Sequence, residues 1–348
     1  MKKQINVQEE DKIEIPTKLQ QEVFLYHTII WKEFIQKSFS TNQTFITVRN
    51  EDNEIITAIP ITKINSKLFG SRILATGYQE YGGMVGDKRV LSEILQYIKK
   101  KYEQDYEFLE IKGSINSKNN PLKCKELQEV PRYKRFVLEL SGEENTWKKI
   151  QKSKRKAIRK AEKFCNCRKL TIKDLDQFYF LYLQNMRRFG TPPYSKGYFK
   201  NFFSMIQEKG HGKIYGSFKE GKLVAALLGF YHNKRVHITT AISNPQFANC
   251  RPSDLMHWTF IKWAIDNNYE FFDFGLVREE SGQFEYKRKW GAELEELSSF
   301  YYLLKEKDIP KPLDPSNKKY QYAIKIWQKL PLKLTEVLGM RLRKILGI

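Results

Sequence analysis

The chain has 348 residues, with 61 Lys+Arg against 40 Asp+Glu and a net charge of +21. With 41% hydrophobic residues, 23 Phe, 19 Tyr and 6 Trp, it cannot stay solvated; disorder is excluded and a buried core in one large or two ordinary domains is expected. Four Cys are too sparse for a disulfide scaffold, the opening MKKQINVQEE holds no apolar export segment, and no apolar run reaches membrane-spanning length, so a cytoplasmic, strongly basic protein is expected.

Residues 19–39 carry apolar side chains at helical spacing, from Val23 to Ile35. Phe45–Val48 and Ile55–Pro60 flank the turn-like Asn50–Asn53 and predict a hairpin. Residues 70–86 are rich in glycine and tyrosine, including Tyr81-Gly82-Gly83. Leu91–Tyr102 reads as a helix, and Tyr106–Ile111 and Arg135–Leu140 as strands.

A basic stretch follows. Residues 147–173 hold twelve Lys/Arg and one acid, Glu162, and Trp147, Ile150, Ala157, Ile158, Ala161 and Phe164 recur at helical spacing, which predicts one helix with its cations outward. A helix over Leu175–Phe189 stops at Gly190-Thr191-Pro192-Pro193, and Tyr198–Lys209 forms another. Lys213–Lys219, Lys222–Tyr231 and Arg235–Ile242, joined at Glu220-Gly221 and Asn233-Lys234, predict a three-strand meander. Arg251-Pro252-Ser253-Asp254 opens a helix, Glu270–Gly275 is a strand, and Ser299–Lys305 is the last one. The remaining residues carry Ile324, Trp327, Leu334, Val337, Leu338, Leu342 and Ile345 among lysines and arginines, hence two amphipathic helices broken at Pro331. The order predicts an α+β fold in two related halves, residues 1–146 and 147–305, followed by a basic amphipathic tail over 306–348.

Several chemistries lack their residues. Cys165 and Cys167 form a lone CxC, and His27, His211, His232, His237 and His257 show no metal-ligand spacing, so no metal site is expected; His232 and His237 read as strand surface. There is no GxSxG, no phosphate-binding Gly-x4-Gly-Lys loop and no GxGxxG opening a helix. The positive charge points to polyanions: nucleic acid, phosphorylated lipid or a nucleotide-linked substrate.

The densest signal is Asp273-Phe274-Gly275 followed by Ser281-Gly282-Gln283-Phe284-Glu285-Tyr286-Lys287-Arg288-Lys289-Trp290-Gly291. Together with Gly190-Thr191-Pro192 and Asn249-x-Arg251-Pro252-Ser253-Asp254-Leu255, it resembles the FemAB-type branch of the GNAT acyltransferases, closest to FemAB-related proteins with a BioF2-like acetyltransferase domain. The resemblance spans roughly residues 20–305, most securely 175–305. It implies tandem GNAT-like subdomains and transfer of an acyl group, in some members an amino acid from aminoacyl-tRNA, to the amine of a peptidoglycan-type precursor. The functional aromatic–Lys pair then falls on Tyr286-Lys287, where the usual Phe is replaced by Tyr. The long helical arm of many aminoacyl-tRNA users has no counterpart beyond the basic helix and its successor. The glycine-rich turn that holds coenzyme A pyrophosphate in ordinary GNAT enzymes is replaced by Asn249–Asp254.

Amine attack on an activated ester creates an oxyanion and releases a proton. Lys287, in a loop before the last strand, would steady that charge or hold a donor phosphate; Asp273 would orient the amine, take its proton or merely cap its loop; Tyr286 would donate a hydrogen bond or pack. Candidate substrate-binding residues are Tyr81, Gly82, Gly83, Arg155, Arg159, Gly190, Thr191, Arg251 and Ser253. The expected activity is N-acyl transfer to a phosphate-bearing cell-envelope precursor, with no bound cofactor and either aminoacyl-tRNA or acyl-CoA as donor. One alternative is an acyl-CoA- or acyl-carrier-dependent enzyme of lipid or polysaccharide synthesis; another is a non-catalytic RNA-binding protein. The tail would either pack on the body or touch an anionic membrane face.

Overall fold

The apolar alternation around Asn50–Asn53 produces its hairpin, and that hairpin lies in the first of two units into which the chain divides. The computed structural model describes residues 5–66, 70–113, 122, 124–279, 281–305, 308–309 and 318–347, so parts of the expected 306–348 tail lie outside the described residues. The first unit comprises Met1–Arg132, Leu297–Gln321 and Arg341–Ile348, and the second Tyr133–Glu296 and Tyr322–Met340. Residues 133–146 thus group with the second unit.

In the first unit, β1 (Asn6–Glu10), β2 (Gln43–Arg49), β3 (Ile55–Ile64) and β4 (Arg72–Ala75) are antiparallel neighbours in sequence order, with the short β5 (Val85–Gly86) against β3. β6 (Phe108–Lys112) runs parallel to β4. Residues 19–39 do not form one helix: 3₁₀ turns at Thr17–Glu22 and Leu25–His27 precede α1 (Ile29–Phe39), whose start is fixed by Thr28 accepting the Trp31 amide proton at 3.3 Å. α2 (Leu91–Tyr102) presents Leu91, Ile94, Leu95 and Ile98 to a core of Ile46, Ile59, Ile61, Ile73 and Leu109. β1 was not legible as a strand; Glu9, the centre of its anchorage, accepts from Lys63, Lys101, Tyr102 and Thr44.

The second unit begins within β7 (Gln128–Glu139), which starts seven residues before the expected strand. The basic stretch is broken into α3 (Glu143–Lys149) and α4 (Lys152–Glu162), because Ile150 is extended and buried while Gln151 is extended ahead of α4. Phe164 falls beyond α4 and is 50% exposed rather than in the core. Cys167 of the CxC lies in β8 (Asn166–Lys169), and Cys165 precedes that strand. After α5 (Leu175–Phe189) and α6 (Lys196–Asn201), which continues as a π-turn, come β9 (Gly212–Lys219), β10 (Lys222–His232) and β11 (Arg235–Ser243). Both predicted hairpin turns place residues at positive φ, Glu220 at 50°, Gly221 at 75° and Asn233 at 49°, matching strand twist. α7 (Pro252–Asp266) then crosses to β12 (Phe271–Val277), which lies parallel to β11 and antiparallel to β7. The strand order is β7-β12-β11-β10-β9-β8, and α7 packs Met256, Phe260 and Ile261 against this sheet. α8 (Gly282–Arg288) leads to β13 (Glu293–Leu303), whose Ser299–Leu303 segment pairs with β6 in the first unit.

Lys213 of β9 lies inward. Its ammonium is 3.2 Å from the Trp263 ring centroid and 5.5 Å from that of Tyr231, it has no carboxylate partner among the described residues, and burial pulls its pKa down to about 8. Lys213→Met is therefore expected to raise the melting temperature. The unfolded chain keeps this proton up to a pKa of 10.5, whereas the native state releases it near 8. The cost of the charge is therefore present in full below pH 8 and is relieved towards 10.5. The gain of the variant should shrink over that window; a constant or growing gain in pH-dependent melts would contradict this account.

The tail forms α9 (Lys318–Lys329) and α10 (Leu332–Leu346), interrupted at Pro331 as expected. In the second unit the tail packs closely on other residues: a Cβ at Gly190 would lie 2.4 Å from Ile324, and one at Gly339 2.4 Å from Pro193. Gly190 ends α5 at φ 71°, a conformation that also disfavours any side chain. Gly190→Ala should destabilise the second unit by about 1–3 kcal/mol and expose α9 to protease. Unchanged urea unfolding and cleavage would contradict this packing. In the first unit the buried Arg72 donates to the carbonyls of Ile345 at 3.1 Å and Leu346 at 2.8 Å, and the Tyr78 amide donates to Gly347. Among the described residues no helix is long and apolar enough to cross a membrane.

Candidate active site

Helical spacing on α4 puts Lys154 on the same face as Ala157, Ile158 and Ala161, so this lysine points inward, contrary to the outward reading of the basic helix. It is 2% exposed. Its ammonium donates to the Asp254 carboxylate at 2.5 Å and sits 3.1 Å from the Tyr286 ring centroid, with Trp290 at 5.3 Å. Burial draws its pKa down to about 8 against the pull of Asp254. Asp254, in the first turn of α7, also accepts from Arg251 Nε at 2.9 Å. Arg251 caps that helix at φ 60°, and Pro252 begins it.

His257 lies one turn further along α7. Its Nδ1 is 2.8 Å from the Ser253 carbonyl, so that nitrogen carries the proton, and 3.2 Å from the Tyr286 hydroxyl. Burial pushes its pKa down to about 4, leaving the ring neutral. Burial and the nearby Asp254 carboxylate raise the Tyr286 pKa well above the usual phenol range. A cavity of about 230 Å³ adjoins this cluster, lined by Ser153, Lys154, Arg251, Glu285, Tyr286 and Lys289. Glu285 is paired with Arg288, and Lys154 and Arg251 share the single carboxylate of Asp254, so the lining carries more positive than negative charge.

Lys287 sits on α8 rather than in a loop, and it is 8% exposed. The reason lies in β12. Its parallel pairing with β11 is recorded for three residue pairs, Arg235–Phe271 to His237–Asp273, and its register against β7 shifts between Asp273 and Leu276. At this irregularity Gly275 turns at φ 72°, its amide donating to Asp273 Oδ1 at 2.8 Å. The Lys287 ammonium donates to the carbonyls of Gly275 at 3.0 Å and Leu276 at 2.8 Å.

Asp273 is fully buried between guanidinium groups, its Oδ2 3.4 Å from Arg135 and 3.7 Å from Arg235. Arg135 also holds Glu295 at 2.7 Å. Although desolvation opposes ionisation, these cations, His237 and the Gly275 amide keep the Asp273 carboxyl below its ordinary pKa. His237, expected at the strand surface, is fully buried opposite Asp273 on β11.

The structure brings Tyr286, Arg251 and Ser253 together and sets Lys287 beside Tyr286 on the same short helix. Arg155 and Arg159 lie on the outer side of α4, Arg159 5.7 Å from the Trp147 ring. Gly190 and Thr191 form the stop of α5, where the Thr191 amide donates to Met186. Tyr81, Gly82 and Gly83 belong to the first unit. Tyr81 packs edge-on against Tyr26, and Gly82 accepts from His27 Nε2 at 3.0 Å and would meet Thr76 if it carried a Cβ. Sequence reasoning missed Lys154, Asp254 and His257 as site residues. Their signal was the i, i+3, i+4, i+7 pattern on α4 and the i, i+3 pair on α7. Among the described residues no group of His, Cys, Asp and Glu could hold a metal ion.

Residues 148–288 match the acetyltransferase (GNAT) domain family. The fold is similar to the crystal structure of FemX, with a TM-score of 0.67 at 14% identity, covering 82% of this chain and 94% of that one. It is also similar to a C-terminal domain assigned to a lysylphosphatidylglycerol synthetase from Agrobacterium fabrum (TM-score 0.54, 11% identity, 80% of this chain and 90% of that one). A tandem GNAT protein from the clavulanic acid biosynthesis pathway matches at TM-score 0.51 and 8% identity, over 87% of this chain and all (100%) of that one. No curated protein sequence matches the chain. Residues 148–288 thus form a GNAT-type acyltransferase domain, set in an α+β, tandem GNAT-like fold. The chain resembles the FemAB/BioF2-like acyltransferases, which favours an enzyme over a non-catalytic RNA-binding protein.

Proposed function

We propose that the chain transfers an aminoacyl or acyl unit to an amine on a phosphate-bearing cell-envelope precursor, with the chemistry carried by residues 147–305. The observation behind this reading is the Lys287 ammonium, fixed on two backbone carbonyls and adjacent to Tyr286 within the acetyltransferase domain. The amine nitrogen attacks the donor ester carbonyl and forms the N–C bond, the oxyanion collapses with loss of the ester C–O bond, and the proton shed by the nitrogen goes to the departing oxygen. Lys287 supplies positive charge to the oxyanion or to a donor phosphate. Tyr286 holds Lys154 in place, and Asp273 acts as a positioning residue, since a carboxylate kept ionised by two arginines is a poor proton acceptor.

The donor most consistent with the site is aminoacyl-tRNA, with acyl-CoA the rival. In the usual arrangement a pyrophosphate would use the free N-terminus of the helix after β11. Here Asp254 already sits in that first turn, paired with Lys154 and Arg251. A donor phosphate would instead meet the side chains of Lys154, Arg251 and Lys289 in the adjoining cavity, with Arg155 and Arg159 on the outer face of α4 as further contacts. The name of the lysylphosphatidylglycerol synthetase relative supports a phosphate-bearing lipid among the possible acceptors. Tyr322, 67% exposed, Ile326 and Val337 lie among Lys325, Lys329 and Lys333, a pattern suited to brief contact with an anionic bilayer.

The test is incubation with charged tRNA or acyl-CoA and amine acceptors, read by mass spectrometry. Mass gain is expected from the charged tRNA pool. Gain from acyl-CoA alone would reverse the donor assignment, and no gain from either would remove the reading.

A further inference from the structure

A second hollow of the second unit, about 650 Å³, is lined by Gln184, Arg187, Arg188, Asn244, Gln246 and Gln328, together with the ends of β11 and α5. Among the described residues no acidic side chain lines it. Neither arginine has a carboxylate partner among the described residues, and the side-chain amides of Gln184 and Gln246 make no hydrogen bond to them. The rest of the wall is held firmly. The buried Asn185 donates to Leu181 at 2.8 Å and accepts from the Ser243 amide at 3.3 Å and from Arg188 Nη2 at 2.6 Å, which sets the guanidinium at the end of β11. Gln328 of α9 donates to the Arg188 carbonyl at 2.8 Å, and Arg187 reaches the Leu330 carbonyl at 3.4 Å, so α9 closes one side. Compensation of the α5 dipole accounts for cations at this helix end. It does not account for two uncommitted amides around a cavity of this size.

We propose that this hollow binds the anionic head of the acceptor, a phosphate or carboxylate gripped by Arg187 and Arg188, while Gln184 and Gln246 read the neighbouring hydroxyl or amide groups. The assignment rests on the acyltransferase reading for the word acceptor, but binding itself requires no turnover. The shared chemistry is an oxyanion flanked by hydrogen-bonding groups, and it has two sources, a sugar phosphate or a peptide carboxylate.

Isothermal titration of the full chain, without donor, against glucose 1-phosphate, trialanine and neutral glucose separates them. One of the two anions should bind while glucose does not, and affinity should fall as salt rises. Arg188→Gln should weaken that anion about tenfold, the effect of losing one charge-assisted contact. The Gln184→Ala/Gln246→Ala double variant, which removes no side-chain hydrogen bond among the described residues, should melt like the parent yet bind more weakly. Failure of both anions to bind, or parental affinity in both variants, overturns the site. If binding behaves as stated but no donor yields transfer, the site stands and the proposed function falls. If transfer occurs and its acceptor KM is unmoved by both variants, the site falls and the function stands.

Discussion

Replacing Lys287 with alanine is expected to lower kcat/KM for acyl transfer by about a hundredfold or more, the scale seen when a group facing a developing oxyanion is removed. The same change leaves the Gly275 and Leu276 carbonyls without the donor they now share, costing about 1–3 kcal/mol of stability. The two effects are separable. Lys287→Arg keeps charge and donors, so it should restore stability more fully than activity, because the planar guanidinium delivers its protons in a different geometry. Melting curves and single-turnover transfer rates on the same preparations make the comparison. An alanine variant that transfers at the parental rate would leave Lys287 as a clamp of the β12 irregularity and nothing more.

Asp273→Asn is expected to have the largest effect on folding. The carboxylate has 0% side-chain exposure and lies between Arg135 and Arg235, so the amide would remove the negative charge set between two interior cations. Breaking an interior pair in this way typically costs about 3–5 kcal/mol, a large share of the 5–15 kcal/mol that holds an ordinary domain together. Denaturant unfolding monitored by tryptophan fluorescence should show the loss. Should the variant unfold like the parent and yet fail to transfer, Asp273 would be reinstated as a group acting on the substrate amine.

The sequence made the second unit more legible than its site. The β9–β10–β11 meander announces itself through Glu220-Gly221 and Asn233-Lys234, and α7 through Pro252, because turn and cap chemistry is local. Pro331 likewise marks the break between α9 and α10. What escaped was of two kinds. Lys154 was hidden by composition: one inward lysine among outward ones looks like its neighbours unless the helical face is followed residue by residue. The partners of Asp273 were hidden by distance along the chain, since Arg135 lies 138 residues away and no local pattern links them. Lys287 combined both difficulties, because a helix of seven residues is too short for its periodicity to separate an inward Lys287 from an outward Arg288.

The grasp of Arg72 on the carbonyls of Ile345 and Leu346, with the pairing of β13 to β6, bears on how this polypeptide emerges from a ribosome. Domains generally fold in the order in which they are made. Here the first unit is completed by segments translated after most of the second unit has been made. Nascent chains arrested before Leu297 should therefore hold an acetyltransferase half that resists protease while the earlier-made half is still digested.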